Sequence, residues 1–256
     1  MTSEQGEDRM KIEDYLAQGG KLSSPENVPP RYRAELLRLM SSFVDSELAG
    51  SAGFADAINW APGIKERIAS SRIVLEKADH AERVLDLMGD FGTDKALYNQ
   101  SHHWAARQAR DAKVDARRQG GDQRLSVFHY PLDGWMDACV MNALMGQATL
   151  LQLDEISRSS YAPLADVVRE ILPRERRHME LGVEGIEQGL KRDGGPAEAK
   201  ASVEYWYPRV AETFGAAHSA RFERLSAMGL RSKPNETLLS DWQTAVDSQL
   251  VTLGLK

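Results

Sequence analysis

The sequence predicts an all-α chain: a bundle of four long helices with additional helices at its ends. Three observations carry this. Apolar residues recur at helical spacing over four long stretches, no stretch is strand-rich, and glycine or proline clusters punctuate the boundaries between them. The chain has 256 residues, 42% hydrophobic and 27% charged. That is enough length for one large domain with a sizeable core.

The elements follow in order. Residues 1–27 are polar and carry glycine and serine, and read as a flexible N-terminal arm, leaving 28–256 as the helical domain. A first helix is expected over 32–49, where Leu36, Leu37, Met40, Phe43, Val44 and Leu48 repeat at helical spacing, with a break at Gly50 to Gly53. A second spans 62–88, with Pro62 in its first turn. A shorter one covers 94–108 and leads into a charged stretch closed by Gly120-Gly121. Residues 126–132 are extended or irregular. A third long helix, 134–156, is apolar almost all round and therefore central. Pro163 opens a fourth, to about residue 190, with a kink expected at Pro173. After Gly194-Gly195-Pro196 two further helices, 197–214 and 235–253, finish the chain.

Composition narrows the function. A net charge of −6, with lysine and arginine dispersed among acids, argues against nucleic acid as a partner. No apolar run approaches membrane-helix length, and no leader-like segment opens the chain. The single cysteine, Cys139, excludes an intramolecular disulfide and fits a reducing, cytoplasmic setting. There is no phosphate-binding glycine loop, no dinucleotide fingerprint and no cysteine cluster for iron–sulfur.

The chemistry-bearing residues form a pattern. Glu47 lies in the apolar first helix, His80 in the second, and Glu175-Arg176-Arg177-His178 forms a Glu-x-x-His pair on the fourth. Residues three apart share a helix face, so a carboxylate and an imidazole at that spacing can meet one metal site. Each residue alone has an ordinary reading: His178 beside two arginines suits a solvated surface, and Asp45 and Ser46 keep Glu47's neighbourhood polar. Cys139, seven residues before Gly146, reads as a small buried hydrophobe.

An ordered series of motifs goes further. It comprises Val28-Pro29-Pro30-Arg31-Tyr32-Arg33 with Ser46-Glu47-Leu48-Ala49-Gly50, and Ala61-Pro62 with His80 eighteen residues after the proline. Tyr130-Pro131 before Trp135 follows, then Arg158-Ser159-Ser160-Tyr161-Ala162-Pro163 before Glu175 and His178, and Tyr205-Trp206-Tyr207-Pro208 with Phe214-Gly215. Over residues 28–255 this series resembles the oxygenase subunits of the phenylacetyl-CoA epoxidase family. The resemblance implies a ferritin-like bundle and a non-haem iron or other divalent transition-metal centre. It also implies dioxygen as co-substrate, a small organic substrate such as an aryl-CoA thioester, and a separate reductase.

Carried over singly, the family's first-helix Glu falls on Glu47, its second-helix His on His80, and its fourth-helix pair on Glu175 and His178. Two positions depart: the second-helix Glu falls on Lys77 and the third-helix Asp on Gly146. Glu76 is the alternative carboxylate. Relative to His80, residues four and three back lie about 40° and 60° round the helix, so Glu76 and Lys77 compete for one face. The expected metal ligands are therefore Glu47, Glu76, His80, Glu175 and His178, with Glu47, Glu175 and Lys77 as catalytic candidates. Two function readings stand: a metal-bearing oxygenase subunit, and a non-catalytic structural subunit whose vestigial site is plugged by Lys77. Either is expected to form a homo-oligomer or to pair with a related subunit, because Trp206, Phe214, Phe222 and Trp242 exceed what four helices need for a core.

Overall fold

The computed structural model describes residues 12–113 and 121–256. Among them the chain is helical, and its one β-type contact is an isolated bridge between Leu22 and Tyr161. The helices are α1 (Ile12–Ala17), α2 (Pro30–Trp60), α3 (Ile64–Gly89), α4 (Lys95–Gln100), α5 (Gly134–Ile156), α6 (Ala162–Gly189), α7 (Gly195–Ala211), α8 (Ala220–Ala227) and α9 (Asn235–Thr252). α2 pairs with α3 and α5 with α6, and these four make a ferritin-like bundle; α7 and α9 pack on the outer side of α5.

α5 is buried along nearly its whole length, as its all-round apolar sequence requires. Three glycines let α6 lie close against it. A Cβ at Gly182 would sit 2.7 Å from the Ala143 nitrogen, one at Gly185 would collide with the Cys139 sulfur, and one at Gly189 with the Met136 methyl. α6 runs through Pro173 as one helix.

Four expectations are corrected. α2 does not break at Gly50 to Gly53 but continues to Trp60. Those glycines provide close approach: a Cβ at Gly50 would lie 3.2 Å from the Lys77 Cδ and 3.3 Å from the Phe128 ring, and one at Gly53 2.7 Å from Arg107. The helix expected over 94–108 stops at Gln100. Beyond it, two buried guanidinium groups take the backbone carbonyls: Arg107 donates to Trp104, Ala106 and Ala49, and Arg124 to His103 and Trp104. Tertiary partners thus override local propensity. The charged stretch that follows falls largely outside the described residues, as does the start of the expected N-terminal arm. From Ile12 onward that arm is docked, with Leu16 and Leu22 buried and Leu22 exchanging backbone hydrogen bonds with Ser160 and Ala162.

The fourth correction concerns the aromatic residues expected to form a partner surface. Trp206 and Trp242 are fully buried in this chain's own core, and Phe214 nearly so. The Trp206 indole donates to Asp137, and that of Trp242 to the Leu144 carbonyl, which fastens α7 and α9 to α5.

Buried apolar residues fall into two clusters. One surrounds α5, α7 and α9; the other lies between the first half of α2, the second half of α3 and the first half of α6. Between them, on α2, α3 and α6, sits a band of buried polar side chains: Glu47, Lys77, His80, Glu175 and His178. Burying five ionisable groups costs heavily unless they satisfy one another.

Candidate metal centre

They do satisfy one another. The Lys77 ammonium donates to Glu47 Oε1 at 3.0 Å and to both oxygens of Glu175 at 3.3 and 3.4 Å. His80 Nδ1 lies 2.9 Å from Glu175 Oε1 and 3.3 Å from Glu47 Oε2. Both carboxylates are thus shared between one ammonium and one imidazole. His178 stacks near His80, with ring centroids 5.8 Å apart, and its Nδ1 faces Glu175 Oε1 at 3.3 Å without hydrogen-bond geometry. Its outer nitrogen, Nε2, is hydrogen-bonded to Glu76 Oε2 at 2.6 Å. Behind it, the Asn142 amide donates to the His178 carbonyl at 2.5 Å.

The electrostatics follow from this packing. Burial pulls the Lys77 ammonium towards neutrality, but the charges of Glu175 and Glu47 outweigh it and raise its pKa. Burial likewise disfavours a charged His80, yet hydrogen bonds to Glu175 and Glu47 raise it to about 9. For Glu175, burial favours the neutral acid, but Lys77, His178 and His80 hold it well below the usual carboxylate range. At neutral pH two carboxylates therefore face two cations. The set balances by itself.

His80 gives a pH-dependent consequence. Its folded pKa lies above the ordinary 6.5, so its stabilisation is fully present below about 6.5 and is lost as pH rises through about 9. Thermal melts of the protein and of a His80→Gln variant should therefore converge across that window. A gap in Tm that stays constant from pH 6 to pH 9.5, values chosen to bracket roughly the ordinary and raised pKa, contradicts the assigned charge.

Ligand atoms of Glu47, His80 and Glu175 lie within 4.8 Å of one another, a spacing one metal ion would satisfy. The fit fails on three counts. The Lys77 ammonium already sits against both carboxylates, where a metal cation would have to be. The His80 nitrogen facing the centre is hydrogen-bonded to those carboxylates, which leaves His178 Nδ1 as the one inward imidazole nitrogen without a hydrogen bond among the described residues. And α5 can supply no ligand from Gly146, because a Cβ there would lie 2.7 Å from the Met179 Cβ and 3.0 Å from its Cα. As folded, these residues do not suit a carboxylate-bridged dinuclear centre, which needs about four carboxylates for two divalent ions.

The sequence-predicted residues are thus brought together in two tiers. Glu47, Lys77, His80 and Glu175 form the centre; His178 borders it; Glu76 lies on the far side of His178, with a quarter of its side chain exposed. The competition between Glu76 and Lys77 for one helix face is resolved with Lys77 inside. Sequence reasoning missed Gly50 as the space for the Lys77 stem, and Met179 as the residue covering Gly146.

A four-helix bundle with Glu and His side chains from three helices meeting at its centre defines the class of carboxylate–histidine bundle proteins. Within that class, the chain belongs to the phenylacetic acid catabolic protein family, whose sequence model matches residues 10–256. It is 26% identical over 206 residues to one of the subunits of 1,2-phenylacetyl-CoA epoxidase from Escherichia coli (strain K12), a match covering 78% of this chain. The chain spans 60% of that relative's length. Among the described residues no helix is long and apolar enough to cross a membrane.

Proposed function

We propose that this chain belongs to an epoxidase-type oxygenase assembly acting on an aryl-CoA or similar small organic substrate, and that within it the chain is the structural, non-catalytic partner of a metal-bearing homologue. Family membership supports the first half. One observation carries the second: the Lys77 ammonium between Glu47 and Glu175. A lysine there gives the two buried carboxylates a permanent counter-charge, so the bundle keeps its fold without metal. In this reading Glu47 and Glu175 are the carboxylates that Lys77 holds, His80 is their second cation, and Glu76 orients His178. Iron, dioxygen and the electrons from a separate reductase are handled by the metal-bearing homologue.

A second reading keeps a metal in this chain, and the unclaimed His178 Nδ1 favours it. It requires Lys77 to withdraw from both carboxylates and His80 to lose its proton. Reconstitution separates the two. Loaded with ferrous iron and supplied with a reductase and an aryl-CoA, the chain alone should consume no dioxygen beyond the reductase background. It should co-sediment with a metal-bearing homologue from the same host. Product formation by the chain alone excludes the structural role.

A further inference from the structure

Away from the cluster, α3 and α6 splay apart over α5 and leave a cleft of about 820 Å³. That volume falls within the range of small-molecule sites. The cleft runs between the first half of α3 and the second half of α6 and ends at Ile73 and Asn142, one turn short of the buried charges. None of Glu47, Lys77, His80, Glu175 or His178 lines it. Its chemistry is divided. The floor is apolar and aromatic, built from Phe54, Ile73, Trp135 and Ala138. The Cys139 thiol also faces it, but burial pushes that group up to about 12, so it contributes surface and not reactivity.

The rim is cationic. Arg177 is neutralised by Glu180 and Glu184, and Arg192 by Glu198. Lys65 and Arg72, two turns apart on the same side of α3, are exposed and make no ion pair among the described residues. An apolar floor beneath two uncompensated cations selects a particular kind of ligand. The geometry points to the cleft as a binding site for a small amphipathic organic anion, its aromatic or branched body on Trp135 and Ile73 and its acidic group at Lys65 and Arg72. The site works without the charged cluster and stands whether or not the chain carries a metal.

The probes are 8-anilinonaphthalene-1-sulfonate and its uncharged counterpart N-phenyl-1-naphthylamine, titrated into the full chain by fluorescence. The sulfonate should bind at one site per chain. The double variant Lys65→Glu/Arg72→Glu, which alters exposed residues only, should weaken it about tenfold while leaving the neutral probe unchanged, as expected for loss of two rim charges. Ala69→Trp, at the cleft wall, should abolish uptake of both, and circular dichroism should show both variants folded. Absence of binding overturns the inference. So does equal binding of the two probes with no response to charge reversal, or undiminished binding to Ala69→Trp. If the variants change only the sedimentation of the chain and not probe uptake, the cleft is a protein-docking groove and the inference also falls.

Discussion

Replacing Lys77 with alanine lowers stability by roughly 3–5 kcal/mol, the usual cost of stripping one partner from a buried ion pair. In a chain of this size that is a fall in Tm of about 6–20 °C. The reason is local. Lys77 is 5% exposed and is the one described residue that touches Glu47 Oε1 and both oxygens of Glu175. Without it, two carboxylates in an apolar bundle share the single charge of His80. One of them must take up a proton or draw in water. The loss should therefore be smaller at acidic pH, where protonation relieves the surplus charge. A Lys77→Ala protein that melts within a degree or two of the parent, roughly the noise of such a comparison, means that Lys77 compensates nothing.

Lys77→Glu should have the opposite chemical consequence. It reverses the one charge that closes the centre and restores a Glu-x-x-His spacing on α3 to match Glu175 and His178 on α6. Three carboxylates would then meet beside two imidazoles with no cation among them. Such a bundle should be severely destabilised when metal-free and rescued by a divalent ion, because binding energy is then folding energy. At manganese or ferrous iron a hundredfold above Kd, the rescue amounts to about 2.7 kcal/mol. Gly146 should stay as it is in this experiment, since Met179 leaves no room for a side chain there. A variant that is equally stable with and without metal, and carries none after desalting, contradicts the view that Lys77 occupies a cation's place.

Much of this is legible in the sequence, and what is not has identifiable causes. α5 is readable to its ends because it is apolar on every face and bounded by Gly134, whose φ of +86° halts a helix. Glu47, His80, Glu175 and His178 are readable because their spacing, and the motifs around them, fix which face of each helix they occupy. α2 reads too short because Gly50 and Gly53 look like punctuation in sequence, whereas their role depends on Lys77 and Arg107 arriving from elsewhere in the chain. The choice between Glu76 and Lys77 cannot be made from helical phase, since about 20° separates them. Packing decides it: the Lys77 stem fits over Gly50, and Glu76 meets the outer nitrogen of His178. The tryptophans of α7 and α9 look like a partner surface because a sequence shows aromatic content but not which α5 groups await it, here Asp137 and the Leu144 carbonyl.

The central claim is that the buried carboxylates of this chain are neutralised by its own side chains and not by metal. It is tested most directly by melting the wild-type protein with excess manganese or ferrous iron, and again with a chelator, then counting metal in the desalted sample. The expected result is one Tm in all three conditions and metal well below one equivalent per chain. A raised Tm accompanied by stoichiometric bound metal would contradict it.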